Sequence, residues 1–177
     1  MLLNSRTLIT TTQQVRGILE LDQVKDSDGG FRLGQQVFQQ NIKFDRATGA
    51  LALNSVATRN EEQIHIHVCG IGIKTSKLRI LLSKLKPTDY NTLKPVTLSP
   101  PDFITGSAMS CRISPTPGAI IDVARDINNY LQSTVAKAPQ SCDQYYVGAG
   151  VITDTNDHSW ACVTTGTRSA EELFCHT

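Results

Sequence analysis

The feature that most constrains this chain is residues 63–70, which read Gln-Ile-His-Ile-His-Val-Cys-Gly and hold two of the four histidines. Alternation of β-branched and polar residues predicts a strand, in which successive side chains point to opposite faces. One face would hold Gln63, His65, His67 and Cys69. Two imidazoles on one face add little to a structural strand. They suit a site that uses imidazole as nucleophile, acid, base or metal ligand.

Length and composition predict one ordinary globular domain spanning residues 1–177. The chain is 40% hydrophobic and 19% charged, which is typical of a soluble protein. Its net charge of +1 offers no global attraction for nucleic acid or an acidic membrane. No apolar run reaches the roughly 20 residues that span a bilayer. The first residues lack the apolar core of a signal peptide, so we expect a cytoplasmic protein, or an exported one if an upstream segment is missing.

The five cysteines leave two alternatives open. An odd number excludes complete pairing within the chain, and no Cys-x-x-Cys occurs, which argues against a zinc knuckle or a thioredoxin-like site. One or two disulfides would be expected in an exported protein, whereas buried free thiols would be expected in a reducing compartment.

Hydrophobic patterning predicts an α+β fold, with an antiparallel sheet and helices packed on it. Predicted strands cover residues 2–12, 50–54, 63–70, 145–153 and 159–165. Predicted helices cover residues 31–44, 75–86 and 118–137, and a short one follows an N-cap at Ser169. The segment 87–117 holds six of the seven prolines and reads as long and irregular, either a functional loop or an excursion of short strands.

The histidine pair allows three interpretations. The two rings could be structural strand residues bonded to their neighbours. They could ligate a metal, but His158 and His176 fall in a turn and near the end of the sequence, and no carboxylate lies at a telling spacing. We therefore expect no metal. The third interpretation is nucleophilic catalysis, because a neutral imidazole attacks phosphorus well when its other nitrogen is held in one tautomer.

The residues 63–68 resemble the active-site strand of the histidine-triad superfamily, which reads His-x-His-x-His with apolar residues between. Within that superfamily, the sequence resembles one branch in particular, the CDP-diacylglycerol pyrophosphatases. Its strand ending in Ala-Ile-Asn-Ser resembles residues 51–55, Leu-Ala-Leu-Asn-Ser, at the same separation from the histidines. Residues 168–173, Arg-Ser-Ala-Glu-Glu-Leu, and the hairpin with Gly148, Val151 and residues 160–165 also look like that branch.

This resemblance implies a HIT-like fold and a role for each matching residue. His65 takes the place of the nucleophile, and His67 would contact the phosphoryl or leaving group. Gln63 stands where the family has its first histidine, and an amide cannot transfer a proton at neutral pH. The expected substrate-binding residues are Asn54, Ser55 and Gln63, with Arg6, Lys74 and Arg168 as candidate cations.

The implied function is hydrolysis of a phosphoanhydride without metal or cofactor. His65 would form a nucleotidyl-histidine, and water would then release the nucleotide, turning CDP-diacylglycerol into phosphatidate and CMP. The expected partner is a nucleotide-lipid or similar small substrate, with transient membrane-surface contact, in a monomer or homodimer.

Because of Gln63, two alternatives stay open. One is acid/base chemistry by His65 and His67 on a small hydrophobic metabolite, as a cyclase, lyase or isomerase. The other is a non-catalytic nucleotide- or lipid-binding module.

Overall fold

The computed structural model describes residues 2–4, 7–41, 44–60, 62–72, 75–103, 105–137 and 141–176. Within these ranges the strands are β1 (Leu2–Asn4), β2 (Leu8–Thr10), β3 (Gly49–Leu53), β4 (His65–Gly70), β5 (Lys94–Val96), β6 (Ser107–Ile113), β7 (Gly148–Thr153) and β8 (Ser159–Gly166). The α-helices are α1 (Gly29–Gln39), α2 (Lys77–Ser83), α3 (Ala124–Lys137) and α4 (Ala170–Cys175). Short 3₁₀ helices cover Ile18–Gln23, Pro87–Tyr90 and Asp143–Tyr146.

The described strands form one eight-stranded sheet in the order β1-β2-β4-β3-β7-β8-β6-β5. Every neighbouring pair is antiparallel. Strands β3 and β4 pair with Ala52 opposite His67, as predicted for the two strands joined by a polar loop. The predicted closing hairpin is also present, with Val151 of β7 opposite Ala161 of β8. The α+β class predicted from the sequence is confirmed.

The sheet has a hydrophobic core on each face. One core contains Phe31 and Phe38 of α1 and Ile127 of α3, packed against apolar side chains of the central strands. The other contains Leu78 and Leu82 of α2 and the apolar side of α4. Strand β3 is buried along its whole length because both of its faces are covered. Strand β4 is buried only at alternate residues, which leaves its histidine face partly open.

The prediction of one long irregular segment over residues 87–117 is wrong in part. Pro87–Tyr90 forms a 3₁₀ helix, and two strands follow it, so the short-stranded alternative describes the segment better. Strand β5 lies at the edge of the sheet and pairs only with β6. A proline such as Pro95 is tolerated in an edge strand, because one side of the strand needs no N–H donors for a neighbour. Strand β6 reads Ser-Ala-Met-Ser-Cys-Arg-Ile and lacks the run of β-branched residues that favours a strand locally. Its pairing with β8 along all seven residues stabilises the extended conformation instead.

Several predicted boundaries also shift. The strand expected over residues 2–12 is two short strands, β1 and β2, which pair with each other. The helix expected over 118–137 begins only at Ala124, since the buried Asp28 carboxylate accepts the backbone N–H groups of Val123 and Ala124 at 2.6 and 2.7 Å. Such a cap marks where the helix starts, and it comes from a distant part of the chain.

Two disulfides decide the cysteine alternatives in favour of pairing. Cys111 and Cys162 face each other across β6 and β8, and Cys69 of β4 pairs with Cys175 at the end of α4. Cys142 is free and exposed. In the described part of the chain, no helix is long and apolar enough to cross a membrane.

Candidate active site

Strand β4 carries the two histidines on one face, as its alternation predicts. Ile66 and Val68 are 4% and 2% exposed and point into the core on the α1 and α3 side. His65 and His67 are half-buried on the opposite face. Their ring centroids lie 4.9 Å apart with an interplanar angle of 69°. The two imidazoles therefore form one local site.

A backbone carbonyl determines the tautomer of His65. Its Nδ1 lies 2.9 Å from the carbonyl oxygen of Gln63. A carbonyl oxygen can only accept a hydrogen bond, so Nδ1 carries the proton and Nε2 carries the lone pair. The same carbonyl would stabilise positive charge on the ring once Nε2 has formed a bond. His65 is thus arranged as a nucleophile or a base through Nε2.

The second histidine faces a carboxylate that sequence reasoning did not select. Nδ1 of His67 lies 3.3 Å from Oε1 of Glu171 on α4. The Nε2 atom of His67 is buried and has no hydrogen-bond partner among the described residues. A buried polar atom without a partner is costly and rare, and this nitrogen is the one unsatisfied buried side-chain polar atom among the described residues.

Burial lowers the pKa of His67 below its ordinary value of 6.5, since a charged imidazolium loses solvation there. The Glu171 carboxylate opposes this shift, whereas His65 and His176 add to it. The lowered pKa leaves His67 neutral at pH 7. A neutral ring with its Nδ1 facing a carboxylate can accept a proton at Nε2 and have the resulting charge balanced.

Asn54 and the start of α4 hold Glu171 in place. The Asn54 side-chain oxygen accepts the Glu171 backbone N–H at 3.0 Å, and its amide nitrogen lies 3.5 Å from Oε2 of the same residue. The helix start is a capping box, in which the Ser169 hydroxyl and the Glu172 carboxylate bond each other's backbone N–H groups. Glu172 therefore caps the helix, and Glu171 is directed to the sheet.

Close packing brings α4 onto the sheet. A Cβ at Gly150 would lie 2.5 Å from the ring of Phe174, so the missing side chain lets the helix approach β7. The Cys69–Cys175 disulfide attaches the end of α4 to β4, two residues after His67. Beyond it, Nε2 of His176 lies 4.0 Å from Oε1 of Glu171. Glu171 and His176 thus join the site from the far end of the sequence.

The residues expected to bind substrate have different environments. Asn54 is 8% exposed and its amide is engaged with Glu171. The Ser55 hydroxyl lies 2.8 Å from that of Thr58 within the turn after β3. Gln63 lies just before β4, and its side-chain amide donates to the Thr11 carbonyl. Arg168 is half-exposed and lies 3.8 Å from Glu172.

Arg6 and Lys74 lie outside the described residues. Two other cations, Arg16 and Arg59, border a cleft of only about 10 Å³ beside His65, together with Asn54 and Gln63. The Arg59 guanidinium donates to the backbone carbonyls of Arg16 and Glu62, which joins the two segments of the cleft. No sequence signal separates these arginines from other surface cations, because only the fold brings their loops to His65.

In the described ranges, no three His, Cys, Asp or Glu side chains are grouped as ligands of one metal ion. No protein-family model matches the chain, and no curated protein matches it.

Proposed function

We propose that this protein hydrolyses a phosphoanhydride through a nucleotidyl-histidine on His65. The observation that carries the proposal is the 2.9 Å contact between Nδ1 of His65 and the Gln63 carbonyl, which leaves the Nε2 lone pair free to attack phosphorus. The resemblance of β4 and its neighbouring segments to the CDP-diacylglycerol pyrophosphatase branch of the histidine-triad superfamily supports the same chemistry.

In the first step, Nε2 of His65 bonds to the phosphorus that bears the nucleoside. The bond from that phosphorus to the bridging oxygen breaks, and the second phosphate leaves with its electron pair. A phosphate monoester has a second pKa near 6, so it leaves as an anion with little need of a proton. The amide at Gln63 is therefore compatible with turnover, although it cannot act as an acid.

In the second step, water attacks the same phosphorus and the bond to His65 breaks. Nε2 of the neutral His67 accepts the proton from that water, and Glu171 balances the imidazolium that forms. Arg16 and Arg59 beside His65 would stabilise charge on the phosphoryl oxygens. With CDP-diacylglycerol the products are phosphatidate and CMP, and no metal or cofactor is needed.

Intact-protein mass spectrometry after brief mixing with CDP-diacylglycerol in detergent micelles tests this proposal. The wild type should gain the mass of one cytidylyl group and release CMP, and His65→Ala should do neither. His158→Ala is the matched control, because that imidazole lies in the β7–β8 turn with Nδ1 3.3 Å from the Ser114 carbonyl. CMP release that survives His65→Ala would contradict the assignment of the nucleophile.

The carboxylate–imidazole pair of Glu171 and His67 supports a second candidate function. Such a pair suits proton transfer, and in this second function His65 and His67 act as a general acid/base pair on a small hydrophobic metabolite. Only the first candidate function forms a covalent adduct on His65. Turnover of a phosphate-free substrate with a bell-shaped pH profile and no adduct on His65 would favour this second function.

A further inference from the structure

Two cross-links join strand β4 to helix α4 side by side. On β4, His67 and Cys69 are two residues apart and share one face. On α4, Glu171 and Cys175 are four residues apart and also share one face. Nδ1 of His67 lies 3.3 Å from Oε1 of Glu171, and the two cysteines are bonded to each other. Since two strand residues advance roughly 6.6 Å and four helical residues about 6 Å, the disulfide is the next cross-link along from the histidine–carboxylate contact.

The disulfide is the covalent attachment of the last turn of α4 to the histidine strand. The helix is only six residues long, and helices of that length are not stable without tertiary contacts. Its first turn is held by Asn54, which accepts the Glu171 backbone N–H at 3.0 Å, and the ring of Phe174 packs at Gly150 of β7. Opening the disulfide would therefore leave the helix on the sheet but would free its last turn to move relative to β4.

The two disulfides differ in their access to solvent. Cys111 and Cys162 are both 0% exposed, in the core on the α2 and α4 side of the sheet. Cys69 and Cys175 are partly exposed and pack against that core. Thiol–disulfide exchange requires a thiolate to reach a sulfur atom, so access helps to determine which bond reacts. A soluble dithiol should therefore open the bond at α4 while the bond between β6 and β8 stays closed.

We propose that the Cys69–Cys175 disulfide is a redox modification site that controls the contact between His67 and Glu171. One thiolate of a dithiol reductant attacks a sulfur of the pair, the S–S bond breaks, and the other cysteine leaves as a thiolate and takes up a proton. The second thiolate of the reductant then attacks the mixed disulfide and releases the second cysteine, which is protonated in turn. The protein gains two electrons and two protons, and the reductant becomes a cyclic disulfide.

The two redox forms differ in how closely the last turn of α4 is held to β4. The oxidised protein keeps the Glu171 carboxylate beside His67, and the reduced protein holds it less closely. The activity that this change controls is the proposed hydrolysis, so the kinetic part of the inference rests on that proposal.

Graded treatment of the folded protein with dithiothreitol, followed by alkylation with iodoacetamide and peptide mass mapping, tests the selectivity. Cys142 is free and exposed, so it should be alkylated without reductant. Cys69 and Cys175 should become alkylated next, and Cys111 and Cys162 only under denaturing conditions. Circular dichroism should show that the partly reduced protein is folded.

The His67 imidazole reports the effect without any substrate. Burial lowers the pKa of His67 and the Glu171 carboxylate opposes this, so NMR titration of the ring should give a lower pKa in the partly reduced protein. CMP release from CDP-diacylglycerol should fall on the order of tenfold and should recover after reoxidation with oxidised glutathione. Cys142→Ser is the matched control and should respond as the wild type does. Cys69→Ala/Cys175→Ala should have the lower pKa from the start and should not respond to the reductant.

Selective alkylation of Cys69 and Cys175 without a change in the pKa of His67 or in CMP release would overturn the proposal, because the bond would then only support the fold. Simultaneous reduction of both disulfides would also overturn it. If the pKa of His67 falls on reduction but neither form releases CMP, the redox site stands and the proposed hydrolysis fails.

Discussion

Oε1 of Glu171 lies 3.3 Å from Nδ1 of His67, although the two residues belong to different elements, α4 and β4. Asn54 contacts both the backbone N–H and the carboxylate of Glu171, so the carboxylate is held from the side opposite the histidine. This arrangement gives His67 a fixed counter-charge at Nδ1, while its Nε2 is buried without a partner among the described residues. In the proposed mechanism, Glu171 is a positioning residue that acts through His67.

Replacing the carboxylate that faces His67 should slow catalysis without unfolding the protein. We expect Glu171→Gln to reduce kcat on the order of 10²-fold, because the imidazolium formed in the second step loses its counter-charge. Glu171 raises the pKa of His67 against the effect of burial. In the variant the acidic limb of the kcat profile should therefore move to lower pH, which steady-state kinetics between pH 4 and pH 9 would detect.

The neighbouring Glu172→Gln is the control for this prediction. Gln can replace Glu at the third position of a capping box, so the helix start should survive. Its exposed ion pair with Arg168 contributes little. Equal losses of kcat in the two variants, with no movement of the acidic limb in Glu171→Gln, would mean that the carboxylate only supports the fold.

The two disulfides should separate stability from activity. Cys69→Ala/Cys175→Ala and Cys111→Ala/Cys162→Ala each open a large loop, of 106 and 51 residues in sequence separation. Each should lower the free energy of unfolding by about 2–5 kcal/mol, as measured by chemical denaturation. Only the first pair should also reduce kcat at temperatures where both proteins are folded, because it attaches the helix that carries Glu171 to the histidine strand.

The control pair lies across β6 and β8, in the half of the sheet that does not contain β4. Circular dichroism should first establish that both double variants are folded under the assay conditions. Equal kcat values in the two folded double variants would refute the idea that the Cys69–Cys175 bond positions the site.

Protonation of His67 should make the protein less stable in mild acid. Its pKa lies below 6.5 in the folded protein and near 6.5 in the unfolded chain, so above that pH neither state binds the proton. As the pH falls through 6.5, the unfolded chain takes up a proton that the folded protein resists. The free energy of unfolding therefore decreases as the pH falls, at a rate set by the uptake of at most one proton on unfolding. The decrease ends once the pH is below the pKa of His67 in the folded protein.

Denaturation curves of the wild type and His67→Asn between pH 5 and pH 8 measure this effect. The difference in stability between the two proteins should be constant above pH 7 and should shift in favour of the variant as the pH falls. A difference that is independent of pH across the whole range would show that burial does not oppose protonation of His67.

Local patterns account for much of the site. Alternation with a period of two places His65 and His67 on one face and Ile66 on the other, because the geometry of a strand depends only on neighbouring residues. The capping residues at Ser169 likewise predict where α4 starts. The predicted pairing of β3 with β4 is confirmed, since a short polar connection favours an antiparallel neighbour.

Other features depend on contacts between distant segments, and only the tertiary structure decides them. The approach of Phe174 to Gly150 brings Glu171 to His67, and nothing near either residue in the sequence indicates this contact. The same holds for the cysteine pairs and for Arg16 and Arg59 beside His65. By itself the sequence determined which side chains share the histidine face. Packing of α4 and of the loops on the sheet decided which charges surround that face, because such packing depends on the shape of the whole core rather than on any local period.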